Sequence, residues 1–246
     1  MRNAFRDFFR RIRVNRHLAR NGPVFDYHGV AVTLPAGAGL SAFNALIRGK
    51  CEREEAAMIV DHLPADLPVI ELGGSLGVVS GLIRSRLAPD TRHLVVEANP
   101  DLIDACARNA GVPAASGRTE VVNAALFYDA PVARFRIGEE VHSNALDDGQ
   151  GAGRMVEVPA VTLQSLYARI GAPTEFVLVA DIEGAEYDLF ARETETLRRV
   201  ALAIVELHPR DYARAGRDEA SLMAFIGAAG LAIAERRADV VLLRRR

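Results

Sequence analysis

Short apolar runs alternate with amphipathic helical stretches along most of this chain. "PVIEL" (68–72) is the first such run, and residues 78–87 continue at helical spacing. "RHLVVEANP" (92–100) predicts a second strand. Asn99 and Pro100 then predict the start of a helix over 101–110, and Gly111 its end. "TEVVNAALF" (119–127) predicts a third strand. "ARFRIG" (133–138) and "VEVPAV" (156–161) read as extended pieces, and 162–170 as a helix. "EFVLVADIEG" (175–184) is the fourth core strand, with a helix over about 185–199, and "ALAIVELHP" (201–209) is the fifth. A helix at 218–230 follows. The closing "LAIAERRADVVLLRRR" predicts two strands turning near Ala238 and Asp239, too close for a crossover and therefore antiparallel. Strand–helix alternation implies an α/β fold: a mostly parallel, doubly wound sheet with helices on both faces.

Two segments stand outside this alternation. "GEEVHSNALDDGQGAGRM" (138–155) has four glycines and no regular apolar period. A loop of that length reads as an insertion or a lid, with His142, Ser143, Asp147 and Asp148 as the side chains that could close over a ligand. The other is "MRNAFRDFFRRIRVNRHLAR" (1–20), where Phe5, Phe8, Phe9 and Ile12 recur at helical spacing. Residues 1–65 are expected to be a helical, basic extension and 66–246 the ligand-binding domain.

Charge changes the picture at that end only. Residues 1–20 hold seven arginines and one aspartate, a net of +6 within a chain of net −2, so the remainder carries −8. No global basic field points to nucleic acid. The basic segment suits either peripheral contact with a membrane or a solvated helix whose aromatic face packs on its own domain or a partner. Cys51 and Cys106 are the only cysteines and neither sits in a CxxC, which disfavours a disulfide framework and a cysteine zinc site. No apolar run is long enough for a bilayer, and no secretory apolar core opens the chain. A cytoplasmic, at most membrane-peripheral, location is expected. Oligomeric state is not legible.

Ligands in open α/β sheets sit beyond the carboxyl ends of the strands. There stands "ELGGSLG" (71–77): Glu71, then Gly73, Gly74, Ser75 and Gly77. This is neither G-x-G-x-x-G nor a triphosphate loop. The glycines allow a tight turn or close approach of a ligand. An acid at the entrance suits a cationic group and would repel a pyrophosphate. Glu97 ends the second strand, where a carboxylate can take both ribose hydroxyls. Asn123 ends the third and could read an adenine edge or stabilise a turn. Ala98 and Ala124 adjoin them. "VADIEGAEYDLF" places Asp181, Glu183 and Glu186 at the end of a buried strand. Glu183 could cap the next helix. Glu206 and His208 end the fifth strand. A neutral His208 could take a proton from a hydroxyl, and Asp181, Glu206 and His208 could converge as an oxygen-rich set suited to Mg²⁺.

"VIELGGSLGVVS", "VVEANPDLI", "VVNAAL", "VTLQSL", "VADIEGAEYDLF" and "AIVELHP" occur in the order of the FkbM-type methyltransferases, which this chain resembles over about 50–210. The resemblance implies a Rossmann-like, seven-stranded sheet ending in the antiparallel hairpin. It also implies S-adenosylmethionine as cofactor, with Glu71, Gly73 and Gly77 at its methionine end, Glu97 at the ribose and Asn123 near the adenine. Gly74, Ser75, Ala98 and Ala124 complete the set. Three departures stand out. Glu71 replaces the usual Asp, Gly74-Ser75 replaces Ala-Asn, and Val179-Ala180 stand where the family carries a Lys. The expected activity is O-methylation of a hydroxyl on a small molecule or saccharide, with Asp181 and His208 as catalytic candidates and no assigned metal ligand. The alternatives are a non-catalytic module that binds the same cofactor, or an NAD-dependent oxidoreductase.

Overall fold

The computed structural model describes residues 2–111, 117–138, 145–146 and 153–246. Helix α1 (Arg2–Asn21) leads into a hairpin of β1 (Val24–Tyr27) and β2 (Val30–Thr33). Helices α2 (Gly39–Ile47) and α3 (Arg53–His62) follow, then β3 (Val69–Leu72), α4 (Val78–Arg86), β4 (His93–Glu97), α5 (Ile103–Asn109) and β5 (Thr119–Asn123). Next come β6 (Ala125–Leu126), β7 (Val132–Ile137), β8 (Ala145–Leu146), β9 (Arg154–Val161) and α6 (Leu163–Arg169). The chain continues through β10 (Phe176–Ala180), α7 (Glu186–Arg192), α8 (Thr194–Leu197), β11 (Val200–Glu206), α9 (Pro209–Arg214), α10 (Glu219–Ala228), β12 (Leu231–Arg237) and β13 (Val240–Arg245).

Seven strands form the central sheet in the order β12-β13-β11-β10-β3-β4-β5. The pairs from β11 through β5 are parallel, and β13 joins β11 and β12 antiparallel. The chain winds outward from β3 through β4 to β5, then returns to build β10 and β11 on the other side of β3. The order therefore reverses between β3 and β10, which is where such sheets open a crevice. Side chains of β10 alternate between two apolar layers. Val177 and Val179 join the layer of α3, α4 and the N-terminal elements; Phe176, Leu178 and Ala180 join that of α6, α7 and α10. Burial on both faces explains why the parallel strands read as unbroken apolar runs.

The structure departs from the sequence reading at several places. Residues 24–33 form a hairpin that no signal pointed to. The third strand stops at Asn123, opposite the last residue of β4; Ala125–Leu126 then pairs with β9 in a side sheet of order β6-β9-β7-β8. The helix after Pro100 begins at Ile103. The 185–199 helix breaks at Glu193, whose carboxylate accepts from Gln164 N at 3.2 Å and Thr196 Oγ1 at 2.9 Å. His142, Ser143, Asp147 and Asp148, the candidate lid residues, lie outside the described residues.

The N-terminal elements share a core with the sheet. Val14, Phe25, Val32, Ala42, Met58 and Ile59 belong to one apolar cluster with Val69, Val177 and Ile204. Asn109 fastens the hairpin to the glycine turn: its Oδ1 accepts from Thr33 N at 2.8 Å, and its Nδ2 donates to Thr33 O at 3.0 Å and Leu76 O at 2.7 Å. The aromatic face of α1 does not pack on the domain. Val14 is buried, while Phe8, Phe9 and Ile12 are 57%, 49% and 49% exposed. No helix among the described residues is long and apolar enough to cross a membrane.

Candidate active site

The glycine turn is built first by contacts within the chain. Gly73 N and Gly74 N both donate to Val96 O, at 2.9 and 3.0 Å, folding the turn over the end of β4. Gly73 has φ +93, and a Cβ there would stand 1.8 Å from Asp181 O. A Cβ on Gly74 would meet Val95 Cγ1 at 2.5 Å, and one on Gly77 would meet Cys106 O at 2.6 Å. Bare backbone at these positions lets β3, β10 and α5 close on one another. Gly73 and Gly74, with Ser75 but not Gly77, line a cleft of about 1190 Å³ of empty space, open solvent at its mouth included. That leaves room for a nucleoside-sized ligand.

Glu71 lies at the floor of this cleft, 2% exposed. Its Oε1 accepts from Ser80 Oγ at 2.7 Å, and its Oε2 faces His93 Nε2 at 2.8 Å. Glu97 grips the turn itself. Its two oxygens accept from Ser75 N and Asn99 N, each at 2.6 Å, while burial raises its pKa against the opposing pull of those N–H groups. A carboxylate oxygen can accept more than one hydrogen bond. Both acids therefore retain acceptor capacity toward the cleft, which Ala98 and Ala124 also line. Asn123 does not line it. Its Nδ2 donates to Glu97 O at 2.9 Å and Ala98 O at 3.0 Å, which is the turn-stabilising role.

Beyond β10 the three acids divide their roles. Helix α7 has no side-chain cap, so Glu183 does not take the capping role the sequence suggested; Glu186, fully buried, instead ties the bend before the helix, its Oε1 accepting from Ile182 N at 2.9 Å and its Oε2 from Gly184 N at 3.0 Å. Tyr212 Oη donates to the same Oε2 at 2.9 Å, and His208 Nδ1 donates to Oε1 at 3.1 Å. Glu186 thus sets the bend and the imidazole together. The other ring nitrogen, Nε2, faces Asp181 Oδ1 at 3.4 Å and Glu183 Oε2 at 3.5 Å. Burial alone would strip the ring's proton. The hydrogen bond and charge of Glu186, with the charges of Asp181 and Glu183, outweigh it and push the His208 pKa up to about 10. In place of the neutral imidazole base expected from the sequence, the geometry holds an imidazolium.

The cleft is acidic beyond what the strand ends alone provide. Glu52 and Glu55, from the N-terminal end of α3, face it and were missed by the sequence reading. Nothing in "CEREEAA" marks it as part of a site, since its approach to Asp181 depends on how α3 packs on the sheet. Burial first, then Asp181, holds the Glu55 carboxyl well above the usual range. Burial, with Glu206 and Glu52 nearby, does the same to Asp181 and outweighs the pull of His208. Burial also pushes Glu183 up to about 7. Among the described residues two groups could hold a cation, each with ligand atoms within 4.8 Å of one another: Asp181, Glu183 and His208, and Glu52, Asp181 and Glu206. The expected set of Asp181, Glu206 and His208 is thus divided between two groups that share Asp181. The all-oxygen group is the one suited to Mg²⁺.

A family model, the methyltransferase FkbM domain, matches residues 77–232. The chain belongs to the FkbM methyltransferase domain family. Its matched span runs from the last glycine of the turn to the first residues of β12, and so includes Glu97, the Asp181–Glu186 bend and His208. No curated protein matches it. Among solved structures, a magnesium protoporphyrin IX methyltransferase from Synechocystis with S-adenosylmethionine bound is 12% identical, over 87% of this chain and 86% of its own, at a TM-score of 0.46. A protein of the NADB-Rossmann superfamily from Streptococcus agalactiae is 8% identical over 78% of this chain and 68% of its own, at 0.45. An O-methyltransferase of neocarzinostatin biosynthesis, complexed with S-adenosylmethionine and a naphthoic acid, is 17% identical over 84% of this FkbM-domain chain, at 0.42. The chain spans 58% of that enzyme's length. These likenesses are loose, and nothing about the acceptor follows from them.

Proposed function

We propose that this chain transfers a methyl group from S-adenosylmethionine to a hydroxyl of a small molecule or saccharide. The observation that carries the reading is the charge of the cleft. Glu52, Glu55, Glu71, Glu97, Asp181 and Glu183 line it, and no lysine or arginine does among the described residues. A sulfonium with an α-ammonium group suits such an acidic lining, whose buried carboxyl groups ionise more readily beside a cation; a pyrophosphate does not. This disfavours the NAD-dependent oxidoreductase.

In this reading residues 66–246 form the cofactor domain. The 1–65 extension covers one face of it and contributes Glu52 and Glu55. Glu71 and the backbone of Gly73–Gly77 hold the methionine end, and Glu97 the ribose hydroxyls. The bound cofactor supplies an already activated methyl, so the protein's task is to align an oxygen and exclude water. Asp181 accepts the proton of the acceptor hydroxyl. The charge of His208 opposes the burial that favours a protonated Asp181 and so eases its ionisation as that hydroxyl approaches, and Glu186 orients His208. The cation beside Asp181 is thus an imidazolium. Val179 and Ala180, at the position of the family's Lys, are buried in the two apolar layers.

Calorimetric titration with S-adenosylhomocysteine tests the cofactor, and methyl transfer from labelled S-adenosylmethionine into an extract tests the reaction. Heat of binding with transfer is expected. Heat without transfer would favour the non-catalytic module. No heat at millimolar ligand on folded protein would end the reading, and binding of NADH in its place would revive the oxidoreductase.

A further inference from the structure

We propose that α1 docks this protein on an anionic lipid surface through Phe8, Phe9 and Ile12. The inference does not depend on the methyl-transfer reading. Helix α1 has two apolar faces. One carries Val14, 5% exposed, and half-buried Leu18; this face packs against α2, beside which Arg13 Nη1 donates to Asn44 Oδ1 at 2.6 Å. The other carries Phe8, Phe9 and Ile12, the first two as an edge-to-face ring pair 5.6 Å apart. At about 100° per residue these three fall within one arc, centred roughly 150° around the helix from Val14 and Leu18. Among the described residues, the other large apolar side chains of comparable exposure, Val24, Val132, Met155 and Ile233, lie on four separate strands.

Charge selects the occupant. Residues 1–20 carry seven arginines, and their single acid, Asp7, is paired with Arg10 at 3.2 Å. The rest of the chain carries −8. An anionic bilayer therefore attracts this face and repels the others, which fixes one orientation. Arginine stems can lie along the apolar stripe with their guanidinium groups among the headgroups, as on an interfacial helix. A lone helix face is convex and offers no groove to a peptide, whereas a lipid surface yields to fit it. Helix α1 rests on α2, and α2 supplies Ala42 and Leu46 to the cleft wall. Docking would leave α1 and α2 between the lipid and the cleft.

Flotation of the full chain with two kinds of vesicle tests this: phosphatidylcholine alone, and the same lipid with about a third phosphatidylglycerol. At least about tenfold more protein is expected on the anionic vesicles at low salt, and less as salt rises. The F8S/F9S/I12S variant should lose binding while keeping the parent's melting curve, because all three side chains are exposed. The chain has no tryptophan. Phe9→Trp thus provides a single reporter, whose emission should shift to the blue with anionic vesicles and stay put with phosphatidylcholine. Equal binding to both vesicles, binding to neither, or a triple variant that floats like the parent would overturn the proposal. So would a parent dimer, found by sedimentation without lipid, that the triple variant dissociates.

Discussion

Gly73→Ala separates two costs of a left-handed glycine: backbone strain and lack of space. Gly49 supplies the control. It has φ +59 and no atom within 4 Å of the place a Cβ would occupy, so Gly49→Ala meets strain alone. That strain is worth roughly 1 kcal/mol. Gly73 has φ +93 and also the carbonyl of Asp181, whose oxygen would lie 1.8 Å and carbon 2.9 Å from the added atom. Both are backbone, and Asp181 N is itself tied to Leu72 O at 3.0 Å, so the contact cannot swing away as a side chain would. Parting β3 from β10 adds an overpacking cost of about 1–3 kcal/mol. The total for Gly73→Ala is then about 2–4 kcal/mol against roughly 1 for Gly49→Ala. In a chain of this length 1 kcal/mol moves the melting temperature by about 2–4 °C. Gly73→Ala should therefore melt several degrees below Gly49→Ala in parallel calorimetric scans, and lose affinity for S-adenosylhomocysteine. Equal melting temperatures for the two variants would refute the packing account of the turn.

Three further outcomes follow from the site and its supports. Glu186→Gln removes the charge that accepts from Ile182 N, Gly184 N, Tyr212 and His208; it should cost about 3 kcal/mol and bring the His208 titration, followed by NMR, down from about 10. An unchanged titration would remove Glu186 from its orienting role. Glu183 is raised to about 7, so the folded chain keeps a proton that the unfolded chain releases above about 4.5; this contribution to stability is present at low pH and lost as pH rises through about 7. His208 acts in the same direction, its contribution being lost only as pH rises through about 10. Urea midpoints should accordingly fall between pH 5 and 8, and Glu183→Gln should flatten that slope; an identical slope in the variant would contradict the assignment. Asn109→Ala removes three hydrogen bonds that join the hairpin to the glycine turn and should cost about 2–3 kcal/mol, with faster proteolysis within residues 22–34 than in the parent.

Where a local pattern carried the element, the sequence reading agreed with the structure. The buried strands β3, β4, β10 and β11 are apolar on both faces, and the turn at Ala238 and Asp239 is too short for anything but a hairpin. Glu71, Glu97, Asp181 and Glu183 were legible for a related reason. An acid that ends a buried strand, beside a glycine turn or another acid, is costly unless it faces a cleft or a partner. Glu186 was visible as an acid but not as the hub, because its four donors are spread from Ile182 to Tyr212.

Sequence alone determined the α/β alternation, the glycine turn and the excess of carboxylates at the strand ends, because periodicity and backbone freedom are local properties of neighbouring residues. Tertiary structure alone decided that Glu52 and Glu55 join the cleft, that His208 sits among three carboxylates and keeps its proton, and that α1 buries Val14 rather than its aromatic stripe. Each of these depends on the distance between groups far apart in the chain. Burial and Coulomb energies follow that distance, and no spacing along the sequence encodes it.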